Sequence, residues 1–378
     1  MGCPRKSPNA ARQCAASIPG RPRRSVGAGI TRSAGKLTHR IDFQRAPFFF
    51  DARWIGEHGI GRVARVLDKE LRLPNLAIGG SPSSPLDPLR LLWAMLKLPR
   101  GVGVFSPGYN APLFVVRPFV FMIHDLNHID RPENSNVLKR LYYRLIMRPA
   151  CRKAFRVLTV SEYSRQRIVA WAGIDPNRVV NVGNGVDERY RPDVTPYDPS
   201  FPYLLNVGNR KAHKNEARVL AAFAHANIDP AIHLIFTGRA NDVLLVQARR
   251  LEVEDRVVFA GRVPEEELPQ LYRGALALVF PSLYEGFGLP VIEAMACGTP
   301  VLTANTTSLP EVAGNAAVLV DPLSVEQIAA GVEQLCADDI LRETLRRKGL
   351  RRAAQFNWDD VAAKVKGVLV ALEKEAES

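Results

Sequence analysis

The stretch that most constrains this chain is Ala275–Ala304, ALALVFPSLYEGFGLPVIEAMACGTPVLTA. Ala275–Phe280 is an apolar run of strand length that stops at Pro281. Pro281–Leu289 holds two glycines and a proline and reads as a loop. Pro290–Cys297 reads as a helix that opens on a proline, where the missing N–H costs nothing, and closes at Gly298. Pro300–Thr303 starts another strand. Strand, loop, helix and strand in that order make one unit of a parallel sheet, so the chain is an α/β protein.

The loop of this unit carries chemistry. Gly286 and Gly288 let backbone approach a ligand, and the start of the helix offers N–H groups with partial positive charge, a ready place for a phosphate. Glu285 precedes the glycines and Glu293 follows in the first helical turn, with seven residues between them. A carboxylate beside a phosphate would repel it, so each acid is better matched to neutral hydroxyls on either side. Hydroxyls, diphosphate, hydroxyls is the pattern of a nucleotide sugar. Without a ligand, Glu293 is an acid favoured by the helix dipole.

The length of 378 residues suits two domains, and 47% hydrophobic with 24% charged residues is the profile of a globular protein. No apolar run approaches a membrane span. Five scattered cysteines (Cys3, Cys14, Cys151, Cys297, Cys336), without a C-x-x-C, argue for a reducing compartment and against a zinc site or disulfide frame. The net charge of +13 is uneven: residues 1–41 hold nine Lys or Arg and no acid, which leaves only +4 for the rest. That segment lacks periodicity and the apolar core of a secretory signal. Its composition superficially suits a transit peptide, but disorder, or a coding start nearer Val26 or Leu37, is the expectation. Lys6 stands where myristoylation at Gly2 needs Ser or Thr.

Upstream of the central stretch, Phe48–Ala52 reads as the first strand. Ile55–Gly61 is a glycine-bearing loop able to approach a phosphate or a sugar, and Arg62–Leu71 is a helix. The spacing is not G-x-G-x-x-G, so the dinucleotide fingerprint is not met. Leu89–Leu98 has the apolar density of a core helix. Phe119–Ile123 is a buried strand with His124-Asp125-Leu126 at its C-terminal end, the edge where open α/β sheets bind ligands. Leu138–Phe155 reads as one helix, kinked or ended at Pro149. It has an apolar stripe (Leu138, Leu141, Tyr142, Leu145, Ile146) and a basic one (Arg140, Arg144, Arg148, Arg152). The basic stripe suits anionic headgroups or the phosphates of a lipid-linked acceptor, and equally a solvated face. No reader motif for nucleic acid is present.

Tyr203–Val207 opens a second domain and runs into Gly208-Asn-Arg-Lys-Ala-His-Lys-Asn215. Cations there, facing the dipole end of a helix, would hold a diphosphate as it leaves; the alternative is a solvated charge run. His233–Gly238 and Arg256–Gly261 are further strands, and Glu265–Leu271 reads as a short helix. Ser308-Leu-Pro-Glu311 and Ser324-Val-Glu-Gln327 read as capping boxes.

Glu285-Gly-Phe-Gly-Leu-Pro with Glu293 resembles the E-x7-E signature of retaining glycosyltransferases with the GT-B fold, most closely glycosyltransferase family 4. The resemblance runs from about Phe48 to Trp358. It takes in Gly59-Ile-Gly-Arg62, His124-Asp-Leu, Val160-Ser-Glu-Tyr-Ser164, the Gly208–Asn215 segment and Gln355-Phe-Asn-Trp358. It implies two doubly wound, Rossmann-like parallel-sheet domains facing across a cleft. Residues 1–45 would be a basic extension, 46–190 the acceptor domain, 191–202 a linker, 203–357 the nucleotide-sugar domain, and 358–378 a helix returning to the first domain.

The same resemblance implies roles. Glu285 takes the donor sugar's hydroxyls, with His124 against the sugar. Lys214 and Arg210 neutralise the diphosphate, although family members carry the arginine directly after the glycine or before the lysine, where Asn209 and His213 stand here. Glu293 takes the ribose hydroxyls. Gly286, Phe287, Gly288, Leu289 and Gly208 line the donor, with Arg262 and Val263 beside the base. Gly59, Gly61 and Arg62 form the acceptor-side loop. No D-x-D motif stands where a metal would be wanted, so neither metal nor cofactor is expected beyond the nucleotide-sugar co-substrate. The resemblance implies front-face attack guided by the leaving phosphate; spacing does not separate this from double displacement.

The Val207–Asn215 and His124–Leu126 blocks resemble those of mannosyl-transferring members most, which implies GDP-mannose ahead of UDP-sugars. The implied acceptor is a growing polysaccharide or polyprenyl-linked oligosaccharide at the cytoplasmic membrane face. Three other functions compete with this one. A glycoside hydrolase has paired acids but no use for Lys214 and a phosphate edge. A nucleotide-sugar 2-epimerase shares the architecture but is not expected to carry Glu285-Gly-Phe-Gly with Glu293. A non-catalytic nucleotide-sugar-binding protein fits the sequence, although the candidate catalytic positions are all filled.

Overall fold

The computed structural model describes residues 48–56 and 59–377; the basic extension, with every expectation attached to it, lies outside them. The first sheet has five parallel strands: β1 (Phe48–Phe50), β2 (Gly103–Ser106), β3 (Phe119–Met122), β4 (Arg156–Thr159) and β5 (Val179–Asn181), side by side in that order. Asn75 forms a lone parallel bridge to Phe50 on the free side of β1, held by Phe50 N–H to Pro74 O and Leu76 N–H to Phe50 O, both 2.8 Å. The chain therefore winds outward from β1, turns back at a one-residue vestige of a strand, and winds the other way through β2. That reversal places the Gly59–Leu71 helix and the Asp87–Leu96 helix in different hydrophobic clusters on the sheet.

The second sheet has six parallel strands: β6 (Tyr203–Asn206), β7 (His233–Phe236), β8 (Val257–Phe259), β9 (Ala277–Phe280), β10 (Val301–Ala304) and β11 (Val318–Val320). They lie in the order β8-β7-β6-β9-β10-β11, so winding reverses between β6 and β9. Every residue of β6, β9 and β10 is buried, as expected of parallel strands covered on both faces. This is the doubly wound GT-B arrangement. The Trp358–Glu377 helix crosses back and packs Val361, Val365 and Leu369 against the cluster that holds Val63 and Leu67 of the Gly59–Leu71 helix.

Three elements differ from expectation. The first helix starts at Gly59, so Gly59, Gly61 and Arg62 occupy a helical turn and not a loop. The short helix after β8 starts at Leu268 and not at Glu265, because Pro269 sits best in a first turn; Glu265 is left in the preceding turn. The single helix over 138–155 is three pieces: Val137–Tyr142, a π turn at Tyr143–Met147, and Arg148–Lys153. Pro149 has no N–H to return to the Leu145 carbonyl, and the chain absorbs the loss as a π turn. The buried face is Tyr143, Met147, Ala150 and Cys151, whereas Leu138, Leu141 and Leu145 face solvent. The Asp87–Leu96 helix likewise buries Leu91, Ala94 and Met95 and exposes Leu89, Trp93 and Leu96.

Candidate active site

Both winding reversals open on one cleft. A cavity of about 300 Å³ is lined from the second domain by Lys214, Glu285, Gly286, Phe287, Gly288, Leu289 and Glu293. The first domain contributes Gly59, Arg62, Val63, His124 and Asp125. Ten of the fifteen residues expected at the site thus meet in one place.

Lys214 comes from the 3-10 turn Ala212–Lys214, which follows β6. Asn215 closes that turn with φ 61°, a left-handed conformation Asn tolerates, and its amide donates to the carbonyls of Pro281 (2.9 Å) and Pro322 (2.6 Å). The lysine turn and the glycine loop are thereby fixed to each other. Lys214 Nζ lies 2.7 Å from Glu285 Oε1 and 4.9 Å from the Phe280 ring centre, with both charged side chains mostly buried. A charge-assisted hydrogen bond of this kind holds the ammonium at the foot of the Leu289–Ala296 helix.

That helix begins from Gly288 at φ 104°, a conformation only glycine adopts freely, with Pro290 in its first turn. The N–H groups of Gly288 and Leu289 take no protein acceptor among the described residues. Gly286 serves a different purpose from the expected one. A Cβ there would overlap the His124 carbonyl oxygen and approach Asp125 Cβ to 2.8 Å, so the backbone it admits is that of the first domain. Ser161 Oγ (2.6 Å) and Ser164 Oγ (3.2 Å) reach the Gly286 carbonyl from the same side.

The Ser308–Glu311 segment does not form a capping box. Ser308 Oγ instead spans the carbonyls of Glu285 (2.9 Å) and Phe287 (3.0 Å), clamping the glycine loop. Glu311 accepts the N–H of Glu162 and Tyr163, capping a first-domain helix across the cleft. Ser324 does cap its helix, accepting from Gln327 N–H at 3.1 Å.

Glu293 lies in the second turn of its helix and not the first, which removes the dipole explanation for it. It is buried, accepts a hydrogen bond from Tyr272 Oη at 2.9 Å, and forms an ion pair with Arg62 of the first domain. Arg62 also reaches Glu265 at 3.3 Å. Burial works against this guanidinium, and the carboxylates of Glu293 and Glu265 with the Tyr190 phenol outweigh it, so its pKa is raised. Burial likewise raises the Tyr272 phenol, with Glu293 adding to the effect, which keeps it a donor. Arg262 and Val263 line a neighbouring cavity of about 430 Å³ with Arg65, Arg189 and Glu265. Arg62 belongs to one cavity and its partner Glu265 to the other, so this ion-pair cluster stands between them.

His124 puts Nε2 at 2.8 Å from the Pro107 carbonyl, which makes that nitrogen a donor, and its ring is 5.6 Å from that of Tyr109. Arg210 is not brought into the cavity. Its guanidinium is tied to Glu216 (2.5 Å) and to the carbonyls of Thr237, Gly238 and Arg239. Gly208 lies beneath, its missing Cβ making room for the Glu216 carboxylate. Gly61 packs against the Gly56 backbone. Both support the site from behind. The sequence reading missed Tyr272, which lies in no motif, and Tyr284, whose hydroxyl receives Leu126 N–H and donates to Asp130 at 2.8 Å.

His213, next to the lysine, gives a pH prediction. Its Nδ1 lies 3.2 Å from Asn134 Nδ2 and 3.4 Å from Asn127 Nδ2, so it serves as acceptor in a neutral ring that joins the domains. Burial depresses its pKa below the ordinary 6.5, with Lys214 and Lys211 acting in the same direction and Glu285 and Asp125 opposing. The folded state therefore binds fewer protons than the unfolded chain, and stability is full above pH of about 6.5 and lost below it. Tm is expected to fall from about pH 7.5 to about 5.5, and by less in His213→Gln, whose side chain does not titrate there. An equal fall in both proteins contradicts the assignment.

The comparisons with known proteins agree with this geometry. Residues 191–352 match the model for glycosyl transferases group 1, and residues 64–190 match that for glycosyltransferase family 4. The chain is 32% identical over 289 residues to O-antigen chain mannosyltransferase B of Escherichia coli, covering 73% of this chain and 75% of that one. It is 29% identical over 278 residues to the O-antigen chain mannosyltransferase RfbU of Salmonella typhimurium strain LT2, covering 70% and 76%. Among solved structures, Anabaena Alr3699/HepE in complex with UDP and glucose superposes with a TM-score of 0.67 at 20% identity, covering 86% of this chain and 99% of that one. Two family models that adjoin at 190/191, where the two sheets are joined, and a relative matched over three quarters of its length place the chain in glycosyltransferase family 4.

Proposed function

We propose that this glycosyltransferase moves mannose from GDP-mannose to a growing polysaccharide or polyprenyl-linked oligosaccharide, with retention of anomeric configuration, at the cytoplasmic membrane face. The carrying observation is the Lys214–Glu285 pair, 2.7 Å apart, at the open start of a helix on the winding reversal of the second sheet. Glu285 neutralises Lys214 in this pair. With donor bound, the ammonium turns to the diphosphate and, together with the N–H groups of Gly288 and Leu289, meets the charge that grows as the anomeric bond breaks. Glu285 is then free for sugar hydroxyls, beside His124. The acceptor hydroxyl attacks on the face the diphosphate leaves, and its proton passes to a departing phosphate oxygen. No metal is assigned a part in this scheme. The names of the two relatives support mannose and a surface polysaccharide.

Glu293, held by Tyr272, would take the ribose hydroxyls, and Arg62 must leave it first. The base would then occupy the cavity beside Arg262 and Val263. Arg210, with its donors engaged elsewhere, is not assigned to the diphosphate.

The test is thermal protection by GDP-mannose, GDP, UDP-glucose and UDP. GDP-mannose and GDP are expected to raise Tm, and failure of both GDP and UDP to do so contradicts the donor site. Glu293→Ala is expected to weaken nucleotide binding by about 10–100-fold, the value of a lost charged hydrogen-bond partner. Glu285→Ala should instead act on turnover, with nucleotide affinity near wild type. Equal losses of affinity in the two variants would refute the division.

A further inference from the structure

We propose that a face of the first domain, built from the Asp87–Leu96 and Val137–Tyr142 helices and the loop between them, docks on an anionic lipid bilayer by inserting apolar side chains. Among the described residues sixteen large hydrophobic side chains are exposed, and nine of these lie between Leu86 and Leu145. Scattered single exposures are ordinary in a folded protein; a concentration of this kind marks an interaction surface. Leu89, Trp93 and Leu96 recur at helical spacing on the outer face of one helix, with Trp93 64% exposed. Leu138 and Leu141 do the same on the other, with Leu138 74% exposed, and Leu145 continues the stripe in the π turn that follows.

The two helices are tied to one loop. Pro88, in the first turn of one helix, accepts the Leu113 N–H at 3.0 Å, and Tyr142, at the end of the other, takes the Ala111 N–H at 3.3 Å and donates to Tyr109 O at 3.2 Å. The segment that follows this loop carries Phe114, 63% exposed.

Charge selects the occupant. From Leu86 to Arg117 the only acid is Asp87, which is buried against Arg53, and from Asn134 to Ser161 there is none. Lys97, Arg100, Lys139, Arg140 and Arg144 are all exposed around the apolar side chains. Exposed apolar side chains, Trp93 and Phe114 among them, carried on helices whose exposed charges are all positive match the acyl boundary and headgroups of an anionic bilayer. The four-arginine stripe read from the sequence contributes only half of itself, since Arg148 is half-buried and Arg152 is bonded to the Ala172 carbonyl. No described helix is long and apolar enough to cross the membrane, so the chain would rest on it. Tyr109, tied to these helices through Tyr142, packs its ring 5.6 Å from that of His124 in the cleft, so a lipid-linked acceptor would arrive on the correct side. The inference deepens the membrane placement proposed above and is tested apart from the transfer reaction.

The test uses the full chain and vesicles of phosphatidylcholine with or without phosphatidylglycerol. The protein is expected to sediment with the anionic vesicles and to show a blue shift of tryptophan emission that Trp93→Phe removes. Leu138→Ser with Leu141→Ser and Leu145→Ser is expected to cut binding at least about tenfold, the value of burying even one leucine. Arg140→Gln and Arg144→Gln should each cost roughly fivefold, on anionic vesicles only. GDP-mannose protection should be unchanged in all of them, and its loss in the wild type with vesicle binding retained would count against the donor site alone. The inference is overturned if the wild type does not sediment, if the triple leucine variant binds as well, or if the leucines instead support a concentration-dependent dimer.

Discussion

Lys214→Ala is expected to lower turnover at saturating donor by about 10²–10³-fold, the usual cost of deleting one preorganised donor to a developing negative charge. Two effects add here. The departing diphosphate loses the only cationic side chain that, among the described residues, lines the cavity from the second domain. Glu285, partnered by Lys214 at 2.7 Å, is left as an uncompensated acid at the phosphate site. Nucleotide affinity should therefore fall as well, though less than turnover. Lys214→Arg should recover part of the rate, because charge matters more than the shape of its donor group. Initial rates over a donor titration separate the two effects. A variant with unchanged kcat and a raised KM would mean that Lys214 only binds.

Gly286→Ala is expected to cost about 10²-fold in turnover while leaving nucleotide binding within a few-fold of wild type. The methyl group would overlap the His124 carbonyl oxygen, a backbone atom that cannot swing away. The loop must then withdraw from Ser161 and Ser164 of the first domain, carrying Glu285 from the sugar. A displacement of about 1 Å at the reacting centre is enough for that loss. Lys214, Glu293 and Tyr272 all belong to the second domain, so the nucleotide subsite survives. Overpacking of this kind costs about 1–3 kcal/mol of stability, which thermal melting would register without loss of the folded state. If the alanine variant turns over normally, the domains do not meet at Gly286 during catalysis.

Much of the second sheet was legible because parallel strands read as short apolar runs ending in glycine or proline. Ala277–Phe280 lies inside the run that sequence marks, Val301–Ala304 overruns its own by one residue, and Gly298 has the positive φ its place at the helix end called for. What was not legible depends on which surfaces meet. Nothing near Gly286 in sequence signals that the carbonyl of His124, far upstream in the other domain, needs the space. Nothing near Glu293 signals that Arg62, 231 residues away, covers it. Ser308 and Glu311 have capping spacing, but carbonyls and N–H groups from elsewhere in the fold compete for them and win. The 137–153 region failed for another reason. It has two apolar faces, both at helical spacing, and periodicity cannot say which one the sheet covers.

The central claim is that a diphosphate docks where the glycine-bounded loop meets its helix, taking Lys214 from Glu285. A crystal structure of the protein soaked with GDP-mannose tests it most directly. The account predicts phosphate oxygens on Lys214 Nζ and on the N–H of Gly288 or Leu289, ribose hydroxyls on Glu293, and Arg62 moved off that carboxylate. A donor bound elsewhere, with Lys214 still paired to Glu285, would contradict it.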